Sequence, residues 1–234
     1  MITSAPRPDP VTPFVQRLVA ASGILFSVLL VVALALTVRE PPAGDEPVAE
    51  WTQFARDAED EMRLGALALG LATYVFVLFL GYLRTAIAEA EERARGFSRG
   101  ASMVLIGGTL GIVGLSLFVY LAALSVQEPE TPPETIRALN DLSGAGLGLG
   151  AGGFGACLVT VALVNLAVRA LPAWLGWVAL GAGLAFVLQF GVLLSDDGDE
   201  SFFGVFFPIA FLLLVVFAAG ASLTFLRDQR AGAA

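Results

Sequence analysis

ASMVLIGGTLGIVGLSLFVYLAALSV, residues Ala101–Val126, carries no charged side chain from end to end. An α-helix rises about 1.5 Å per residue, so a run of this length crosses a hydrocarbon core of about 30 Å. In lipid only a helix or a closed barrel satisfies every backbone N–H and C=O. A barrel strand would alternate apolar and polar residues over about ten positions. This run does not alternate, so it reads as a spanning helix, and lipid is the solvent around it.

Five more runs share that character. The predicted spans are about 18–38, 64–83, 101–126, 142–168, 171–194 and 202–226. The composition agrees. The 234 residues are 57% apolar and 15% charged, with a mean hydropathy of +0.81, where soluble domains carry about 25% charged residues. The expected fold is all-α: a polytopic transmembrane helix bundle of about six spans occupying 14–230. Residues 1–13, rich in Pro, are expected to form a disordered tail. The first span follows Arg7 and Arg17 and ends near Ala33-Leu34-Ala35, as a cleaved leader would. Its apolar stretch exceeds the usual 7–15 residues of such leaders, so a retained helix is expected.

Charge between the spans sets the orientation. Arg7, Arg17, Arg84, Arg93, Arg95, Arg99, Arg169, Arg227 and Arg230 fall on one side, and Arg39, Arg56, Arg63 and Arg137 on the other. The positive-inside rule then predicts that both termini are cytoplasmic, in a cell inner (plasma) membrane. Most carboxylates, from Glu40 to Glu61 and from Asp196 to Glu200, lie on the opposite, outer side.

The outer segment 39–63 is acidic and begins irregularly at Pro41-Pro42. Its later part places Trp51, Phe54, Ala55, Ala58 and Met62 at spacings of three and four, one stripe of an amphipathic helix. That stripe fits either the membrane surface or other loops. The inner segment Thr85–Gly100 reads as a charged, solvated helix with Glu89–Arg93 and Glu91–Arg95 as i,i+4 pairs. Trp174 and Trp177 follow a four-residue link and belong at the headgroup level.

The absences restrict chemistry. There is no His and no Lys, which excludes His-ligated zinc or haem, Ser-His triads, Ser-Lys dyads and a retinal Schiff base within this chain. The single Cys157 is a packing residue inside a span. Gly148-x-Gly150-x-x-Gly153 matches a dinucleotide fingerprint, but no strand precedes it and lipid surrounds it, so that reading fails. Instead Gly144, Gly148 and Gly152 recur every four residues, as do Gly146 and Gly150. Gly107, Gly108, Gly111 and Gly114 do something similar in the third span. Small faces of this kind let spans approach closely; a broken helix lining a pathway is the alternative. The expected packing residues are Gly144, Gly148, Gly152, Gly107 and Gly111. Pro208 should kink or loosen the sixth span.

No span interior carries a charge, the usual mark of an ion-coupled pump. The intramembrane polar groups of note are Asn165, Gln189, Tyr74 and Tyr120, expected to make interhelical contacts. The turn Asp196-Asp197-Gly198-Asp199-Glu200 lacks the spacing of a calcium loop. No catalytic, metal or cofactor site is expected.

At Ala20-Ala21-Ser22-Gly23-Ile24-Leu25-Phe26, at Arg63-Leu64-Gly65-Ala66 and at Leu171-Pro172-Ala173-Trp174-Leu175-Gly176-Trp177 the chain resembles a family of uncharacterised multi-pass membrane proteins common in actinobacteria. The resemblance implies a helical membrane domain of unknown function and brings no catalytic residues. The expected surroundings are the lipid bilayer and a protein partner or second copy, with no nucleic acid. A structural or partner-binding component is the leading expectation. A transporter or channel for a neutral or lipid-like molecule is the alternative, and an enzyme ranks last.

Overall fold

The computed structural model describes residues 11–37, 48–94, 99–125, 132–189 and 205–231. All six elements are helices: α1 (Val11–Thr37), α2 (Val48–Ala94), α3 (Gly100–Ser125), α4 (Pro133–Val168), α5 (Ala173–Gln189) and α6 (Phe206–Ala231). Each runs antiparallel to its sequence neighbour. Thr73 meets Ser116 across α2 and α3, Gly114 meets Gly150 across α3 and α4, and Gly220 meets Trp174 across α5 and α6. Helix α1 also packs on α6, and α2 on α4. Helices α1, α2, α4, α5 and α6 thus close a ring, and α3 lies in the outer crease between α2 and α4. Gln229 of α6 donates to the Gln16 carbonyl of α1 (3.1 Å), so the start of α1 meets the end of α6.

Large apolar side chains face outward on every helix, among them Leu25, Val28 and Val32 on α1, Leu67 and Leu71 on α2, Ile106 on α3 and Leu212 on α6. In water, patches of this extent would drive association; here they face lipid. Helices α1, α2, α3, α4 and α6 are long and apolar enough to cross a membrane, and the chain is an integral membrane protein. The fifth expected span, 171–194, is shorter than forecast within the described residues. Helix α5 has 17 residues, about 26 Å; positions 190–194 of that expected span lie outside them.

Two helices overrun the bilayer. The 47 residues of α2 reach about 70 Å and the 36 of α4 about 54 Å. Both project at the end where they begin, which we call the acidic end. The amphipathic stripe forecast for 39–63 is therefore the first part of α2. Ala58 and Met62 are buried there against Ala123 of α3 and Ile136 of α4, with Phe54 alongside. The partners of these residues are helices α3 and α4, not the loops that were one of the two fits expected for the stripe. Helix α4 starts nine residues ahead of its forecast span because Pro133 takes its first position and Glu134 its first turn. Proline's missing N–H costs nothing there, and the acid suits the helix dipole.

Two further expectations change. Helix α1 is already formed at Val11, so the forecast tail of 1–13 is too long by at least 11–13; residues 1–10 lie outside the described ones. Pro208 stands in the first turn of α6 as described, where no intrahelical bond is lost, so it does not kink the span. The acidic turn at 196–200 lies outside the described residues.

Candidate functional site

The axis of the ring is filled by phenylalanine. Phe26, Phe76, Phe79, Phe154, Phe186, Phe211 and Phe217 come from five helices, and none is more than 5% exposed. Their rings touch in series. Phe26 lies 4.6 Å from Phe76, Phe76 5.7 Å from Phe154, Phe154 5.5 Å from Phe186, and Phe186 5.2 Å from Phe211. Phe79 reaches Phe217 at 6.4 Å. Such pairs add about 0.5–1.5 kcal/mol beyond area burial.

The four polar residues singled out in the sequence do not converge. Tyr74 is 78% exposed and Tyr120 60% exposed, so both face lipid. Asn165 is buried at the α4–α5 turn. Its Oδ1 accepts from the Leu171 N–H (2.6 Å) and its Nδ2 donates to the Pro172 carbonyl (3.4 Å). It ties the link to the helix it leaves. Arg169 in that link has φ 52° and ψ 49°, the left-handed region that usually takes Gly. Gln189 ends α5; its Oε1 is buried and has no hydrogen-bond partner among the described residues.

The glycines separate into two groups. An added Cβ on Gly107 would meet Cys157 and Gly153, one on Gly111 would meet Phe154, and one on Gly114 would meet Gly150 and Gly146. The seam between α3 and α4 is thus Gly107, Gly111 and Gly114 against Gly146, Gly150 and Gly153, with backbones in direct contact. Gly144 and Gly148 have nothing within 4 Å of such a Cβ, and Gly152 is half-buried. The seam lies on the other phase of α4 from the expected face. Cys157 is buried in it.

One residue of the segment expected to be solvated is not exposed. Glu91 is buried, and its Oε1 accepts from the Gly100 N–H (2.8 Å) and its Oε2 from the Ala101 N–H (3.4 Å). These are free donors at the start of α3, where an anion is favoured. Gly100 has no side chain to obstruct it: a Cβ there would stand 2.6 Å from Glu91 Oε1 and 2.5 Å from Val164 Cγ2. Arg95, the expected partner, lies outside the described residues. Nor does Arg93 pair with the Glu89 carboxylate in the bond observed; its Nε donates to the Glu89 carbonyl (3.1 Å).

A cleft of about 340 Å³ opens between α2 and α3 on the outside of the ring. Leu69, Gly70 and Thr73 form one wall and Ser116, Leu117 and Tyr120 the other. Nearly all of its surface is apolar. The hydroxyl-bearing residues of its lining are Thr73, Ser116 and Tyr120, and Thr73 Oγ1 and Ser116 Oγ stand 2.9 Å apart. Pockets for small molecules commonly measure about 300–1,000 Å³, with a few placed polar groups in an apolar lining. Among the described residues no cluster of His, Cys, Asp or Glu could hold a metal ion. Comparison with protein-family models, with curated proteins and with solved structures found no match to this chain.

Proposed function

We propose that this integral membrane protein is a structural component that binds a protein partner or a second copy of itself. It resides in the plasma membrane with both termini in the cytoplasm and performs no catalysis. The observation that carries this reading is the aromatic filling of the bundle axis. Asn165 is absorbed by the α4–α5 turn, and a core of this kind suits a scaffold. The projecting start of α2 supports it further. From Val48 to the apolar part at Leu64, α2 extends about 24 Å past the span, with Glu50, Arg56 and Asp60 exposed on it. Affinity isolation of the full chain after mild solubilisation should recover a reproducible partner or a homo-oligomer. Recovery of a lone monomer from several gentle detergents would remove the support.

A second reading, carriage of a neutral or lipid-like molecule, draws on the α2–α3 cleft. Flux of a neutral solute or lipid across vesicles containing the full chain, above that of empty vesicles, would favour it.

A further inference from the structure

We propose that the α2–α3 cleft is a lipid-binding slot that seats one acyl chain carrying a hydroxyl group, received at its deep end by Thr73 and Ser116. The cleft lies within the spanning parts of both helices, so lipid is the medium at its mouth. Its walls run from Ala66 to Thr73 and from Val113 to Tyr120, about 10 Å along the helix axes. A slot of that length and about 340 Å³ has room for part of one acyl chain.

The depth and the proton count define the chemistry. Helices α2 and α3 are antiparallel, so Ala66 and Tyr120 stand at the end nearer the acidic surface, and Thr73 with Ser116 near mid-bilayer. Tyr120 is placed where a phenol meets headgroups. Thr73 Oγ1 also lies 2.9 Å from the Leu69 carbonyl, and Ser116 Oγ 2.7 Å from the Ile112 carbonyl. Two hydroxyl protons thus serve three contacts, and both protons are committed. The two oxygens keep unused lone pairs. A group that enters here gains by donating a proton and gains nothing by accepting one. A saturated chain offers no donor, whereas a chain hydroxylated partway along offers one at about this distance from its headgroup. Gly70 leaves the middle of the slot open, with nothing within 4 Å of an added Cβ.

The test is native mass spectrometry of the full chain in mild detergent. Two phosphatidylglycerols are supplied together, one with a stearoyl chain and one with a stearoyl chain hydroxylated near its middle. The wild type should retain the hydroxylated lipid about fivefold over the plain one, the size of one net hydrogen bond. Thr73→Val with Ser116→Ala should retain both equally, and Thr73→Ser alone should keep the preference. Gly70→Phe, which fills the slot without touching the hydroxyls, should lower retention of both lipids several-fold. Equal retention by the wild type would overturn the proposal, as would a preference that survives loss of both hydroxyls. So would a dimer that Gly70→Phe dissociates, since the slot would then be filled by protein.

Discussion

Asn165 bonds with both ends of its amide in the link it caps, and a buried N–H would be stranded without it. Removing one partner of a buried hydrogen bond costs about 1–3 kcal/mol. Asn165→Ala is therefore expected to lower the thermal midpoint of the detergent-solubilised protein, followed by circular dichroism. Four residues on, Arg169 holds a left-handed conformation that a side chain disfavours. Arg169→Gly should raise the same midpoint, by roughly 0.5–1 kcal/mol. Opposite signs from neighbours in one turn distinguish this account from general sensitivity of the region. That Asn165 is hydrogen-bonded could be read in advance from an amide in a hydrocarbon setting; that its partners lie in the adjoining link and not on another helix could not. The conformation of Arg169 could not, because Arg gives no local signal for it.

At the scale of the helix, α4 shows where sequence reading stops. Glycines at 144, 146, 148, 150, 152, 153 and 155 supply two faces with the same four-residue recurrence, and α4 alone cannot choose between them. The choice is made by α3, whose Gly107, Gly111 and Gly114 face only one. The structure predicts a contrast. Gly148→Ala should stabilise by up to about 1 kcal/mol, since alanine is the better helix former and meets open space. Gly114→Ala should destabilise by about 1–3 kcal/mol, because its methyl would press on the Gly150 backbone. Thermal unfolding of the two single variants measures both signs. Helix α3 gives a second case. The charge pattern placed Glu91 on a solvated face, and only the packing of the end of α2 against the start of α3 brings it to the Gly100 and Ala101 amides, a tertiary event with no local mark. Glu91→Ala should speed hydrogen exchange at the Gly100 and Ala101 amides by about tenfold, equivalent to about 1.4 kcal/mol. Exchange unchanged at those two amides would show that the carboxylate does not hold the helix start.

For the molecule as a whole, hydropathy made the helical bundle legible, because lipid allows few other backbones. The ring order and the aromatic axis were hidden, since phenylalanines facing lipid and facing the core look alike in an all-apolar run. Orientation remains a matter of charge, and two measurements address it. A reporter fused after Arg230 is expected to read as cytoplasmic. In intact cells a membrane-impermeant maleimide should label Asp60→Cys from outside and leave the buried native Cys157 unlabelled; labelling only after lysis would reverse the assignment. The contact of α1 with α6 bears on assembly at the ribosome. Ser222 Oγ accepts from the Gly23 N–H (2.9 Å), and Ser27 Oγ donates to the Val215 carbonyl (3.1 Å). Helix α1 thus waits through the synthesis of α2, α3, α4 and α5 for the surface that covers it. Nascent chains stalled before α6 should remain open along that side, recognisable to quality-control proteases until α6 arrives.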